Sequence, residues 1–134
     1  MIDSMYKNRL NISDIEKFIV DIIWKKVSDN VFVGDLPSAI DSKLKDMVVI
    51  DCSNTINNMN AFGYGTVNII MYANPTSDGM KDEELLGDMC DMLTICVEEN
   101  KNPSFGLTIG NTYSDYDTNR KLHCNIVQLK IVII

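Results

Sequence analysis

The residues of this chain that could do chemistry are one histidine, four cysteines and a large set of carboxylates. Their spacing decides what they can do. His123 stands beside Cys124. A thiol or hydroxyl nucleophile needs an imidazole within hydrogen-bond reach, but adjacent residues of a strand point to opposite faces. The histidine is therefore read as structural. Cys52, Cys90, Cys96 and Cys124 contain no Cys-X-X-Cys pair, and a zinc centre needs several Cys or His ligands at short spacings. The expectation is reduced, mostly buried thiols in a cytosolic environment, since MIDSMYKNRLNISDIEKF carries no long apolar leader. Asp115, Asp117 and Asn119 imitate the start of a calcium loop. Arg120 then occupies the glycine position and Ile126 the closing glutamate position. A solvated hairpin turn is the better reading. Gly63 and Gly65 lack the third glycine and the following helix of a dinucleotide fingerprint. No catalytic, cofactor-binding or metal-binding residue is assigned, and the chain is expected not to be an enzyme.

The elements that position these residues are legible from periodicity. Ile12, Ile15, Ile19, Ile22, Ile23 and Val27 recur at helical spacing, with Ser13 and Glu16 as a capping box. A helix is expected over about 12–28, with Trp24 off the centre of its apolar stripe. VFVGDLP and MVVIDCS read as two strands. NTINNMN is a polar loop. A long strand follows over 61–73. Asn74-Pro75-Thr76-Ser77-Asp78-Gly79 stops it and supplies capping side chains. A second helix over 79–99 carries the stripe Leu85, Leu86, Met89, Met92, Leu93, Cys96 and Val97. SFGLTIGN is a strand, TYSDYDTNR a turn, and LHCNIVQLKIVII the last strand. The order α-β-β-β-α-β-β implies an α+β fold, a mostly antiparallel sheet packed by two helices. The whole chain, 1–134, reads as a single domain, with residues 1–11 as an N-terminal arm.

With 134 residues, 46% of them apolar, the chain can build its own core. Its net charge of −7 argues against a simple electrostatic nucleic-acid binder, which needs a basic face. It does not argue against a wall past which DNA slides. No apolar run is long enough to span a membrane, and no membrane partner is expected.

On the strand AFGYGTVNIIMYA, residues 61, 63, 65, 67, 69, 71 and 73 share one face. That face is small and apolar, fit for a helix to approach closely. Phe62, Tyr64, Asn68 and Tyr72 share the other. Aromatic residues on a polar surface suit a protein–protein contact, so these four and Trp24 are the expected subunit interface.

The segment GTVNIIMYANPTSDGMKDEELLGDMCDMLTIC, from Gly65 to Cys96, is a strand, a break and an amphipathic helix. It resembles the head–tail connector (neck) and tail-terminator ring proteins of bacteriophages, with the flavour of Bacteroides and crAss-like phages. The element order matches that tail-terminator-like fold over nearly the whole chain. The resemblance implies a structural virion protein of the neck or tail, made in the bacterial cytoplasm. It implies a homo-oligomeric ring, sixfold or twelvefold, between the capsid portal and the tail. The partners would be other neck, portal or tail proteins. Genomic DNA would pass through its channel without sequence-specific binding. Inter-ring or channel loops would be 53–60, with Asn54, Asn57 and Asn58, and 112–120, with Tyr113, Asp115, Tyr116 and Asp117. The alternative class is a small cytosolic α+β enzyme or a ligand-binding or adaptor protein.

Overall fold

Isoleucines three and four residues apart build the first helix. In a computed structural model that describes residues 12–41, 43–52 and 64–133, α1 runs Ile12–Ile23 and buries Ile15, Ile19, Ile22 and Ile23. It is shorter than the apolar pattern suggests. Lys25 takes a left-handed φ of 65°, which an α-helix of L-residues does not tolerate. The Lys25 amide then donates to Ser28 O, and the Val27 amide to Ile23 O. Val27 stays in the core, but from a turn. Ser13 lies inside the helix rather than before it, so it is not the expected N-cap.

Strand β1 (Val31–Val33) pairs in parallel with β2 (Asp46–Asp51). β2 runs antiparallel to β3 (Tyr64–Ala73). Helix α2 (Glu83–Glu99) follows, then β4 (Phe105–Asp117) and β5 (Leu122–Ile133). The five strands lie in the order β1-β2-β3-β5-β4, with β1–β2 the parallel pair. The fold is α+β, a mostly antiparallel sheet with two helices, in the order read from the sequence.

α2 starts four residues later than the apolar pattern suggests. Gly79, at φ 77°, and Thr76 close a turn ahead of it, and Asp82 caps it by accepting the Leu85 amide at 3.0 Å. The carboxylates Glu83 and Glu84 then sit in the first turn, where the helix dipole favours them.

Both helices cover one face of the sheet. Val48, Ile50, Val67, Ile69, Met71, Val127, Leu129 and Ile131 meet the apolar stripes of α1 and α2 there. Gly65 lies on this face opposite Ile131, buried as its small-residue role requires. Phe18 of α1 packs edge to face on Phe105 of β4, with centroids 5.4 Å apart, the arrangement aromatic quadrupoles favour. Met92, read as part of the α2 stripe, is instead exposed. It sits at the rim of the stripe, where a thioether is tolerated in water.

The opposite face has a core of its own. Leu36, Met47, Val49, Tyr72, Leu122 and Cys124 are buried together, with Ile40 and Leu44 packed against them. The connection from β1 to β2 supplies Leu36, Ile40 and Leu44. That face is therefore half sealed by the chain itself.

Candidate interaction surface

The strand pairing sorts the residues expected to make contacts. Tyr72 faces Leu36 and Met47 in the second core and is only 7% exposed. It is not a surface residue. The alternation that put it opposite the helices is right, but the segment between β1 and β2 covers that end of the face. Asn68, on the same face, pairs in register with Asp51 and Gln128. Its Oδ1 is buried without a hydrogen-bond partner. Tyr64 starts β3. Phe62, Asn54, Asn57 and Asn58 lie outside the described residues, as do Gly63 and the 53–60 loop.

Trp24 is 52% exposed at the end of α1. Its indole N–H donates to Asp29 O at 3.3 Å, and the Lys25 ammonium sits 4.8 Å from the ring centroid. The exposed ring is thus held at its edge and covered by one cation.

The 112–120 segment is not a loop. β4 stays paired with β5 from Thr112↔Val127 to Asp117↔Leu122, and the turn is confined to 118–121. Backbone pairing to a full-length neighbour outweighs the polar composition that suggested a turn. Tyr113 and Tyr116 are exposed on this edge strand. Tyr116 stacks at a tilt on His123, centroids 4.6 Å apart. Asp117 is a clamp for the turn. Its carboxylate accepts the Asn119 and Arg120 amides at 3.0 and 3.1 Å and the Arg120 guanidinium at 3.2 Å. Burial pushes this carboxyl up, but those hydrogen bonds and the arginine charge outweigh it and hold it below the usual range.

One polar cluster was not anticipated from sequence. The Lys81 ammonium donates to Ser114 Oγ at 2.8 Å and to Asn125 Oδ1 at 3.2 Å. Ser114 Oγ also donates to Asn125 Oδ1, and the Asn125 amide reaches Cys90 Sγ at 3.7 Å. Ser114 and Asn125 lie 33 and 44 positions from Lys81, so no local motif could mark them. Through these contacts Lys81 ties the segment just ahead of α2 to β4 and β5.

None of the four cysteines is in a disulfide, and Cys52, Cys96 and Cys124 are buried. Burial raises Cys90, Cys96 and Cys124, the last to about 11, which makes them poor nucleophiles. Among the described residues no group of three or more His, Cys, Asp or Glu side chains is arranged to hold a metal ion. No described helix is long and apolar enough to cross a membrane.

Among the described residues β1 and β4 are the end strands of the sheet, with exposed aromatic or apolar side chains beside each, and Met80, Met92, Ile95 and Val132 are exposed elsewhere. Trp24 and Val33 lie on the β1 side, and Tyr113 and Tyr116 on β4. Fold and surface together define a class, a two-layer α+β protein with helices on one sheet face and, among the described residues, no strand paired outside β1 or β4. No protein-family model matches the chain, and no curated protein matches it.

Proposed function

We propose that this chain is a structural virion subunit that assembles into a ring in the neck or tail of a bacteriophage. It would act there as a head–tail connector or tail terminator, joining portal to tail around the DNA channel. The observation that carries the reading is the pair of sheet edges that are unpaired among the described residues. β1 and β4 lie at opposite ends of one sheet, each flanked by exposed aromatic or apolar residues. Contacts between two different edges repeat head to tail, and such heterologous contacts form a ring where the rotation between copies closes. The net charge of −7 suits a conduit that DNA passes without sticking. Native mass measurement of the purified chain, alone and with neck or tail partners from the same genome, tests this. A closed oligomer of six or twelve copies supports it. A chain that stays monomeric in both settings overturns it.

A second reading, a small cytosolic enzyme or ligand-binding or adaptor protein, is favoured by one observation, the 2.8 Å contact of Lys81 with Ser114. Nucleophile and base stand at such a distance in serine–lysine catalysis. Labelling of Ser114 by a fluorophosphonate, abolished by Lys81→Met, would favour it over the ring.

A further inference from the structure

Two surfaces of this molecule differ in their exposed charge. α2 has six carboxylates, Glu83, Glu84, Asp88, Asp91, Glu98 and Glu99, all exposed, and no basic residue. Asp91, Ile95 and Glu98 fall at i, i+4 and i+7, a single line along the helix surface. Ile95 is 44% exposed between the two acids. At the other side, a groove of about 370 Å³ lies where the chain leaves α1 and enters β1 and β2. Lys25, Lys43 and Lys45 line it, with Val27 and Leu44 between them. Its polar floor is already committed. Ser28 Oγ donates to the Asp46 carboxylate, and the Asn30 amide group donates to Asp46 O at 3.0 Å. Asp29 also lines the groove, so three exposed lysines and one exposed carboxylate face an incoming group, and the lysines prevail.

We propose that the occupant of this groove is the Asp91–Ile95–Glu98 line of α2 from a second copy of the chain. The proposal rests on the ring reading above and names one of its contacts. Two exposed acids flank Ile95 on the helix, and exposed lysines outnumber the exposed carboxylate in the groove, so opposite charge draws the two surfaces together. An amphipathic helix laid on a groove is read through anchors at this spacing. One copy cannot satisfy its own groove with this line. α2 packs over β3, β5 and β4, whereas the groove opens at the start of β1 and β2. The contact joins two different surfaces, so it propagates head to tail. Opposite charges of this kind set partner choice and orientation more than affinity. They are also screened, with a Debye length of about 10 Å at 0.1 M salt.

The test uses the full chain and reads oligomeric state by native mass and light scattering at low and high salt. One double variant is Asp91→Lys with Glu98→Lys, and the other is Lys25→Glu with Lys43→Glu. Each alone is expected to weaken assembly at least tenfold and to raise the monomer fraction, with the circular dichroism spectrum unchanged. Mixing the two variants, or combining all four substitutions in one chain, is expected to restore assembly. Wild-type rings that neither double variant weakens would overturn this contact and leave the ring reading standing. So would weakening by both variants without rescue on mixing. A wild-type chain that is monomeric at every concentration and salt, with its partners present, would overturn both.

Discussion

The Arg120 guanidinium lies 3.2 Å from the Asp117 carboxylate, and its other nitrogen points to the carbonyl of Leu36, 84 residues earlier, at 3.5 Å. A single side chain thus ties the β4–β5 turn to the segment that covers the second core. Asp117→Ala removes three hydrogen bonds to that turn and is expected to cost about 1–2 kcal/mol at neutral pH. The acid limb gives the sign. The native carboxyl lies below its unfolded value, so the clamp is fully present above about pH 4 and is lost as pH falls through the native value. Denaturant melts of wild type and variant should therefore differ at pH 7 and converge in strong acid. A gap that persists there would show that the carboxylate charge is not the cause.

At the alkaline end Tyr72 dominates. Burial pushes its phenol up to about 12, and the neighbouring Cys124 and Asp117 add to the shift. The native state keeps the proton that the unfolded chain releases near pH 10. Stability from this group is intact below pH 10 and falls as pH rises toward 12, by up to about 3 kcal/mol. Tyr72→Phe should flatten that part of the stability curve. An unchanged slope in the variant would place the alkaline loss elsewhere.

Gly110 sits at the shift in the β4–β5 register between Ile109 and Thr112. A Cβ built there would lie 2.7 Å from the carbonyl oxygen of Gln128, whereas one built on Gly106 would stand 4.0 Å from Val132 O. Gly110→Ala is expected to cost about 1–3 kcal/mol, since backbone must move to admit the methyl group. Gly106→Ala should be near neutral. Equal melting temperatures for the two variants would mean the bulge relaxes freely.

Trp24 is the only tryptophan in the chain, and it is half exposed, with its indole N–H on the carbonyl of Asp29 just ahead of β1. Its emission reports on that site alone. If assembly covers the β1 side, the maximum should shift to the blue with rising protein concentration and return on dilution. Emission that stays constant while the mass increases would place the contact away from Trp24. Trp24→Phe should leave the melting temperature within a degree or two, because an exposed ring contributes little to the core.

The sequence was most readable where one period ran through a whole element. The isoleucines of α1, the apolar stripe of α2 and the alternation of β3 each named their buried face, and all but Met92 on α2 and the end of α1 follow it. Helix ends were less readable, because Lys25 leaves the helix through a left-handed backbone that no pattern of apolar residues reports. TYSDYDTNR misled for a different reason. Its composition is that of a turn, yet Thr112–Asp117 pair with β5, and pairing depends on a partner strand rather than on local preference. Tyr72 was placed on the correct face but given the wrong neighbour, since nothing local tells that Leu36 folds back over it. The Lys81–Ser114–Asn125 cluster and the lysine groove join distant segments and were invisible for that reason.

The three-residue strand β1 has a kinetic consequence. Its register with β2 runs from Val31↔Val48 to Val33↔Ile50, extended at the ends by the Val48 amide to Asn30 O and the Gly34 amide to Ile50 O. So short a ladder at a sheet margin can detach while the antiparallel strands stay paired, because local opening draws on the least supported unit. Amides of residues 31–34 would exchange with solvent far sooner than those of β3 and β5. Each opening would also bare the flank of β2, a six-residue strand with four buried apolar side chains. For a moment, then, the sheet margin offered to a neighbour is β2, and a β1 from another copy could take the vacated place, which is how strand exchange between identical chains begins.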